Sequence, residues 1–132
     1  MAETENLKTV LVVEPDVLVR MVICEYLRDC GYRVIEGIGG ADVWAVLDTG
    51  RCVDVVLIDV SVAGAEDGFA VASRIRQTRR DIDVILSSGI SGAVEECHDL
   101  CEDGPLKKPY EPKDVEARIK ILLERRRAAK KP

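Results

Sequence analysis

Apolar and polar positions along the chain switch between two periods. Residues 9–13 form a short unbroken apolar run, the pattern of a strand buried on both faces of a parallel sheet, and the run stops at Glu14, Pro15 and Asp16. Val19, Ile23, Leu27 and Cys30 follow at steps of four, four and three, which is one stripe of a helix that Gly31 ends and Asp16 is placed to cap. The same change of period recurs. Residues 33–36 read as a strand, 41–48 as a helix with Trp44 and Leu47 facing inward and Gly50 as terminator, and 53–58 as the strongest strand, ending on Asp59. Residues 69–78 predict a helix, 83–87 a strand and 94–101 a weaker helix. Leu106 and Lys107 make a short fifth strand, and 114–126 predict a helix with Val115, Ile119 and Leu122 on one face.

Strands alternating with helices predict an α/β fold, a doubly wound five-stranded parallel sheet with five helices. A chain of 132 residues is enough for one such domain and its core. Sheets of this kind bind ligands beyond the carboxyl ends of their strands. That rule selects Glu14 and Asp16, Asp59 to Ser61, Ser88 with Gly89, and Lys108 as the positions where chemistry is expected.

Composition narrows the class. Hydrophobic residues make up 47% and charged residues 33%, a globular balance. The apolar runs are far short of the roughly 20 residues that cross a bilayer, and residues 1–6 carry two acids and no apolar stretch, so no membrane partner and a cytoplasmic location are expected. The five cysteines are odd in number and scattered, which reads as reduced thiols. Cys97, His98 and Cys101 lack the second ligand pair of a zinc site. Net charge is −5, but unevenly spread: residues 118–132 hold seven of the 19 basic residues and one of the 24 acids, leaving the rest at −11. Such a basic end is favourable near the negative pole of a helix, and is also able to touch acidic partners.

The groups collected at the strand ends are acids, a lone aspartate, a hydroxyl and a lysine. Carboxylates hold Mg²⁺, an aspartate can act as nucleophile, and a lysine with a hydroxyl can bind phosphoryl oxygens. Each also has a plain structural role: Asp59 can open a turn, Asp16 can cap, and Ser87 and Ser88 are ordinary loop formers. Their joint placement at four strand ends is what points to phosphoryl chemistry.

The stretches VLVVEPDVLVR at 10–20, VDVVLIDV at 53–60, DGFAVASRIR at 67–76, VILSSG at 84–89 and LKKPY at 106–110 make the sequence resemble the receiver domain of two-component response regulators. The resemblance runs from Lys8 to about Glu124, between a lead of residues 1–7 and a basic tail of 125–132. It implies a flavodoxin-like fold of receiver type. It makes Asp59 the phosphoacceptor, Ser88 the hydroxyl that contacts the phosphoryl group and Lys108 the lysine that pairs with it. Glu14, Asp59 and the backbone carbonyl of Ser61 would hold Mg²⁺, and the Lys108–Pro109 peptide bond would be cis.

Two positions depart from the family pattern. Pro15 stands where a second acid usually ligates the metal, which weakens the expected Mg²⁺ site, and Pro105 replaces an aromatic whose swing reports phosphorylation, leaving Tyr110 as the nearest ring. The expected function is a stand-alone receiver that accepts a phosphoryl group on Asp59 from a sensor histidine kinase or phosphotransfer protein and then changes its downstream protein partner. It would be a self-phosphorylating and dephosphorylating acceptor rather than a turnover enzyme. Direct nucleic-acid binding is not expected, since RRAAKKP is too short for a helix-turn-helix. The alternative is a degenerate receiver that binds proteins without phosphorylation. Flavin binding finds no support: the turns after the first and third strands are acidic, and Gly37, Gly39 and Gly40 lack the full GxGxxG spacing. Hydrolase chemistry lacks a serine elbow.

Overall fold

The computed structural model describes residues 7–89 and 106–130. The element order is β1 (Thr9–Val13), α1 (Val17–Asp29), β2 (Arg33–Gly37), α2 (Gly40–Leu47), β3 (Val55–Asp59), α3 (Gly68–Thr78), β4 (Asp83–Ser88), β5 (Leu106–Lys107) and α4 (Pro112–Ala129). The strands form one sheet in the order β2-β1-β3-β4-β5, every neighbouring pair parallel. This is the predicted doubly wound sheet, with four helices among the described residues; the helix expected at 94–101 lies outside them, as do Cys97, His98, Cys101 and Pro105.

The unbroken apolar runs occupy the centre of the sheet, as their composition requires. Every residue of β1 and of β3 is buried. Alternate side chains face opposite layers. Leu11, Val13, Val56 and Ile58 pack with Val43 and Leu47 of α2 and Val71 and Ile75 of α3. Val10, Val12, Val55 and Leu57 pack with Ile23 and Leu27 of α1 and Val115, Ile119 and Leu122 of α4. Each fully buried aliphatic side chain contributes about 1.5–3 kcal/mol. The two layers therefore fix the sheet from both sides and hold its carboxyl edge in place.

Element ends follow local chemistry. The Asp16 carboxylate accepts from Leu18 N and Val19 N and starts α1 as expected. Asp67 caps α3 through Ala70 N. Helix α4 starts earlier than the apolar stripe suggests, because Pro112 supplies the preset φ of a first helical turn, and it runs on to Ala129. β3 begins at Val55 rather than at residue 53: Asp54 is tied to the start of β1, donating its amide to Thr9 O at 2.9 Å and accepting from Thr9 N at 2.8 Å. Trp44 is partly buried, Leu47 fully so. Cys24, Cys30 and Cys52 are free thiols, and burial pushes the Cys24 thiol up to about 11. No helix among the described residues is long and apolar enough to cross a membrane.

Candidate functional site

Glu14, Asp59, Ser87 with Ser88, and Lys108 come from four adjacent strands, and the sheet order brings them together at its carboxyl edge. Asp59 is the last residue of β3 and 2% exposed; Glu14 directly follows β1 and is equally buried. Burying two carboxylates side by side requires a counter-charge. Lys108 provides it. Its ammonium lies 2.5 Å from Asp59 Oδ2 and also contacts Glu14 Oε1.

The rest of the Asp59 carboxylate is hydrogen bonded. Oδ1 accepts from the Ser61 amide at 2.8 Å and from the Ser61 hydroxyl, and the Ser87 hydroxyl stands 3.4 Å from Oδ2. Burial alone would raise the Asp59 pKa; the hydrogen bond from Lys108 and those from Ser61 outweigh it and hold the group below the ordinary carboxylate range. For Lys108 the balance runs the other way round, burial lowering and the two carboxylates raising, with a net upward shift. Burial, with Glu14 and Asp59 nearby, also pushes the Tyr110 hydroxyl above its usual value.

The turn 14–16 is fixed by its own backbone. Glu14 N donates to Gly37 O at 3.0 Å, Glu14 Oε2 accepts from Asp16 N at 3.0 Å, and Arg20 Nη1 donates to Glu14 O at 2.7 Å. Arg20 Nε reaches Glu36 at 3.3 Å. Asp16, engaged as a cap, is turned to the amides of α1, and Pro15 is exposed. On the other side, an added Cβ at Gly68 would lie 2.4 Å from Asp59 O, so glycine alone lets α3 begin directly beneath the aspartate.

Of the residues selected from the sequence, Glu14, Asp59, Ser61, Ser88 and Lys108 lie at this edge, whereas the Asp16 carboxylate turns to the amides of α1. Ser88 is buried, and its carbonyl accepts from Lys108 N at 2.9 Å. The Ser87 hydroxyl also stands near Asp59, a placement that a loop-forming serine in the sequence does not announce. The register of β3 on β4 pairs Asp59 with Ser87, a signal available only once strand pairing is known. Arg20, which braces the Glu14 turn, was also missed, since a single arginine in a helix carries no mark of function. The Lys108–Pro109 peptide bond is cis, as the resemblance implied.

The donors suit a hard cation. They are oxygens: two buried carboxylates, one of which, Glu14, has an oxygen that among the described residues meets the Lys108 ammonium and is otherwise without a hydrogen-bond partner, and the Ser61 carbonyl.

A parallel α/β domain with two buried acids and a lysine gathered at its carboxyl edge is the arrangement that the resemblance to a receiver domain implied. Residues 10–120 match the family model of the response regulator receiver domain, and the chain belongs to that family. It is 32% identical over 116 residues to the uncharacterized transcriptional regulatory protein YbdJ of Bacillus subtilis (strain 168), covering 87% of this chain and 50% of that protein. The chain spans about half the length of the curated relatives it matches. Among solved structures, the BeF3-activated DrrB receiver domain superposes with a TM-score of 0.76 at 26% identity, covering 89% of this chain and 98% of that one. A CheY-like receiver domain protein from Methanospirillum hungatei JF-1 has a TM-score of 0.81 at 20% identity, with 93% and 99% covered.

Proposed function

We propose that this receiver domain accepts a phosphoryl group on Asp59 from a sensor histidine kinase or a phosphotransfer protein and thereby changes its protein partners. The observation that carries the reading is the Lys108 ammonium placed between the buried carboxylates of Glu14 and Asp59. It keeps Asp59 ionised, the form that can attack. An Asp59 oxygen forms the new O–P bond while the P–N bond to the donor histidine breaks, and the histidine nitrogen leaves with the electron pair and takes a proton. Lys108 then follows the negative charge from the carboxylate to the phosphoryl oxygens, with Ser87 and Ser88 at hand as hydroxyl donors. Glu14, Asp59 and the Ser61 carbonyl would hold Mg²⁺, which when bound offsets the charge gathered on the phosphoryl oxygens.

A protein donor needs a surface to rest on. Beside the site, Val17, Leu18, Met21 and Val22 of α1 are more than half exposed, and a groove of about 440 Å³ runs between α1 and Pro109, Tyr110 and Pro112. An apolar face of that kind supports a protein as the phosphodonor. The relative YbdJ is named as a transcriptional regulatory protein and is about twice as long.

A second reading, binding of a protein partner without phosphorylation, is favoured by one observation: Pro15 offers no carboxylate and Asp16 is engaged as a cap. Incubation with acetyl phosphate and Mg²⁺, followed by intact mass measurement, separates the two. The expected result is one added phosphoryl group on the wild type and none on Asp59→Asn. Labelling retained in the variant would move the acceptor elsewhere, and no labelling of the wild type by small or protein donors would leave the second reading.

A further inference from the structure

The loop 61–67 that follows Asp59 has no regular structure, yet it is held at several points. Near Asp59 it closes through Val62 N to Asp59 O at 3.3 Å and Gly68 N to Val60 O at 3.2 Å. Its tip turns at Gly64, whose φ of +127° is a conformation side chains rarely adopt. Its outer limb rests on the start of α2: an added Cβ would lie 3.2 Å from Ala63 O at Gly39 and 2.8 Å from Glu66 O at Gly40. Bare backbone therefore meets bare backbone there.

One side chain fastens this contact. Glu66 Oε1 accepts from the Trp44 indole at 2.9 Å and from Arg74 Nη1 at 2.8 Å, while the Arg74 guanidinium lies over the Trp44 ring at 4.2 Å. Three elements, α2, the loop and α3, thus converge on one carboxylate oxygen. Hydrogen bonds to a charged acceptor are about twice as strong as neutral ones, and an arginine stacked on a ring loses little freedom in making them. Without Glu66 the outer limb loses both charge-assisted hydrogen bonds and keeps its backbone contact with Gly39 and Gly40, while Val62 stays buried in the core.

We propose that Glu66 is a positioning residue for the acceptor site: through Trp44 and Arg74 it fixes the loop from which Ser61 faces Asp59 and offers its carbonyl to a cation. The proposal rests on the reading of Asp59 as phosphoacceptor. It places control of the site about five residues beyond the residues that touch it, and on side chains of α2 and α3 that have no charge role at the strand edge.

Trp44 is the single tryptophan of the chain, so its emission reads the clamp directly. The test compares wild type, Glu66→Ala and Glu66→Gln by three measurements: amide exchange, Trp44 emission, and the Mg²⁺ dependence of Asp59 labelling by acetyl phosphate. In Glu66→Ala, exchange at Val62 and Gly68 should rise about tenfold or more while β1 and β3 amides stay protected. The emission should shift to the red, and the Mg²⁺ concentration for half-maximal labelling should rise about fivefold, roughly the effect of 1 kcal/mol, with the maximal rate little changed. Glu66→Gln, whose amide oxygen still accepts from the indole, should recover most of each effect. Unchanged exchange at Val62 and Gly68 in Glu66→Ala overturns the proposal, and so does an equal rise in β1 and β3, which would be a general loosening. If the wild type is not labelled at all, the acceptor reading fails, and the exchange data alone still decide whether Glu66 holds the loop.

Discussion

The two turns that flank Asp59 solve the same problem by different means. The turn after β1 and the loop after β3 each leave a fully buried strand, each place oxygen atoms at the site, and each end in an aspartate that caps the next helix. The first does so in three residues, most of its contacts made by the turn itself and the start of α1: Glu14 Oε2 with Asp16 N, Asp16 with two amides and the Glu14 carbonyl with Arg20, with Lys108 beside Glu14 from across the sheet. The second is longer and is fixed from outside, by Glu66 on α2 and α3. A short turn held mainly by its own bonds resists change, whereas a longer loop fastened through a remote side chain has more room to adjust. One side of the site is therefore a fixed wall and the other an adjustable one, with Lys108 between them.

Removing Lys108 should break this arrangement most severely. Lys108→Ala leaves Glu14 and Asp59 buried and facing one another. Losing one partner of a fully buried pair costs about 3–5 kcal/mol; Lys108 is partly exposed and water can enter, so a loss of about 2–3 kcal/mol in urea unfolding at pH 7 is expected. The pH dependence follows from the shifts. In the wild type Asp59 is lowered, so it stabilises the fold above the unfolded carboxylate value of about 3.9, and the effect is lost as pH falls through the lower folded value. Lys108 is raised, so its contribution is full below about 10.4 and lost as pH rises through its folded value. Without the lysine, burial of Asp59 is opposed by the Ser61 donors alone, its pKa rises, and protonation relieves the variant first. The stability gap between variant and wild type should thus narrow from pH 7 to pH 4, and Mg²⁺ should stabilise the variant more than the wild type. A constant gap, or no response to Mg²⁺, would show that Lys108 does not neutralise the pair.

How far the sequence foretold this arrangement differs between its parts. The sheet and the helix faces were legible because both rest on periods: β1 and β3 are uniformly apolar and buried, and Val115, Ile119 and Leu122 are buried on one stripe of α4. Strand ends were legible too, since a charge after a buried run must lie at an edge, and this placed Glu14, Asp59 and Lys108 together. Contacts made across elements were not. Ser87 facing Asp59 depends on the register of β3 with β4, Arg20 bracing Glu14 depends on how the first turn folds back, and the meeting of Trp44, Glu66 and Arg74 depends on the packing of α2 on α3. Trp44 was read as an inward apolar residue; its ring is half in the core, and its N–H meets a carboxylate, which no local pattern announces.

A smaller effect, in the opposite direction, is expected where the fixed wall lacks an acid. Pro15→Asp restores a carboxylate beside Glu14. A charge-assisted contact to Mg²⁺ then replaces a neutral one, and affinity should tighten by about 1.4–2.8 kcal/mol, roughly tenfold to a hundredfold in dissociation constant. Labelling of Asp59 should quicken with it. Calorimetry showing the same affinity for variant and wild type would mean that Glu14, Asp59 and the Ser61 carbonyl suffice without a third acid.

The smallest effect expected belongs to Asp16, and it sharpens the contrast between the walls most finely. Asp16 is the nearest acid to Pro15 and the obvious candidate to replace the missing ligand, yet its Oδ1 accepts from Leu18 N at 2.9 Å and Val19 N at 3.1 Å. Turning to a cation would leave both amides without that acceptor at the start of α1, a loss of about 1 kcal/mol, to set against one ionic contact in an exposed position. The two effects are of similar size and the cap is already in place, so the cap should prevail. Asn caps as well as Asp, and its neutral amide makes a poor Mg²⁺ ligand. Asp16→Asn should therefore shift urea-unfolding stability by no more than about 0.5 kcal/mol and leave the Mg²⁺ dissociation constant within about twofold of wild type. Asp16→Ala should lose about 1 kcal/mol of stability with the same small change in affinity. A tenfold loss of Mg²⁺ affinity in Asp16→Asn would show that this carboxylate leaves its cap when the metal arrives, and the wall built by the first turn would then be as adjustable as the loop across from it.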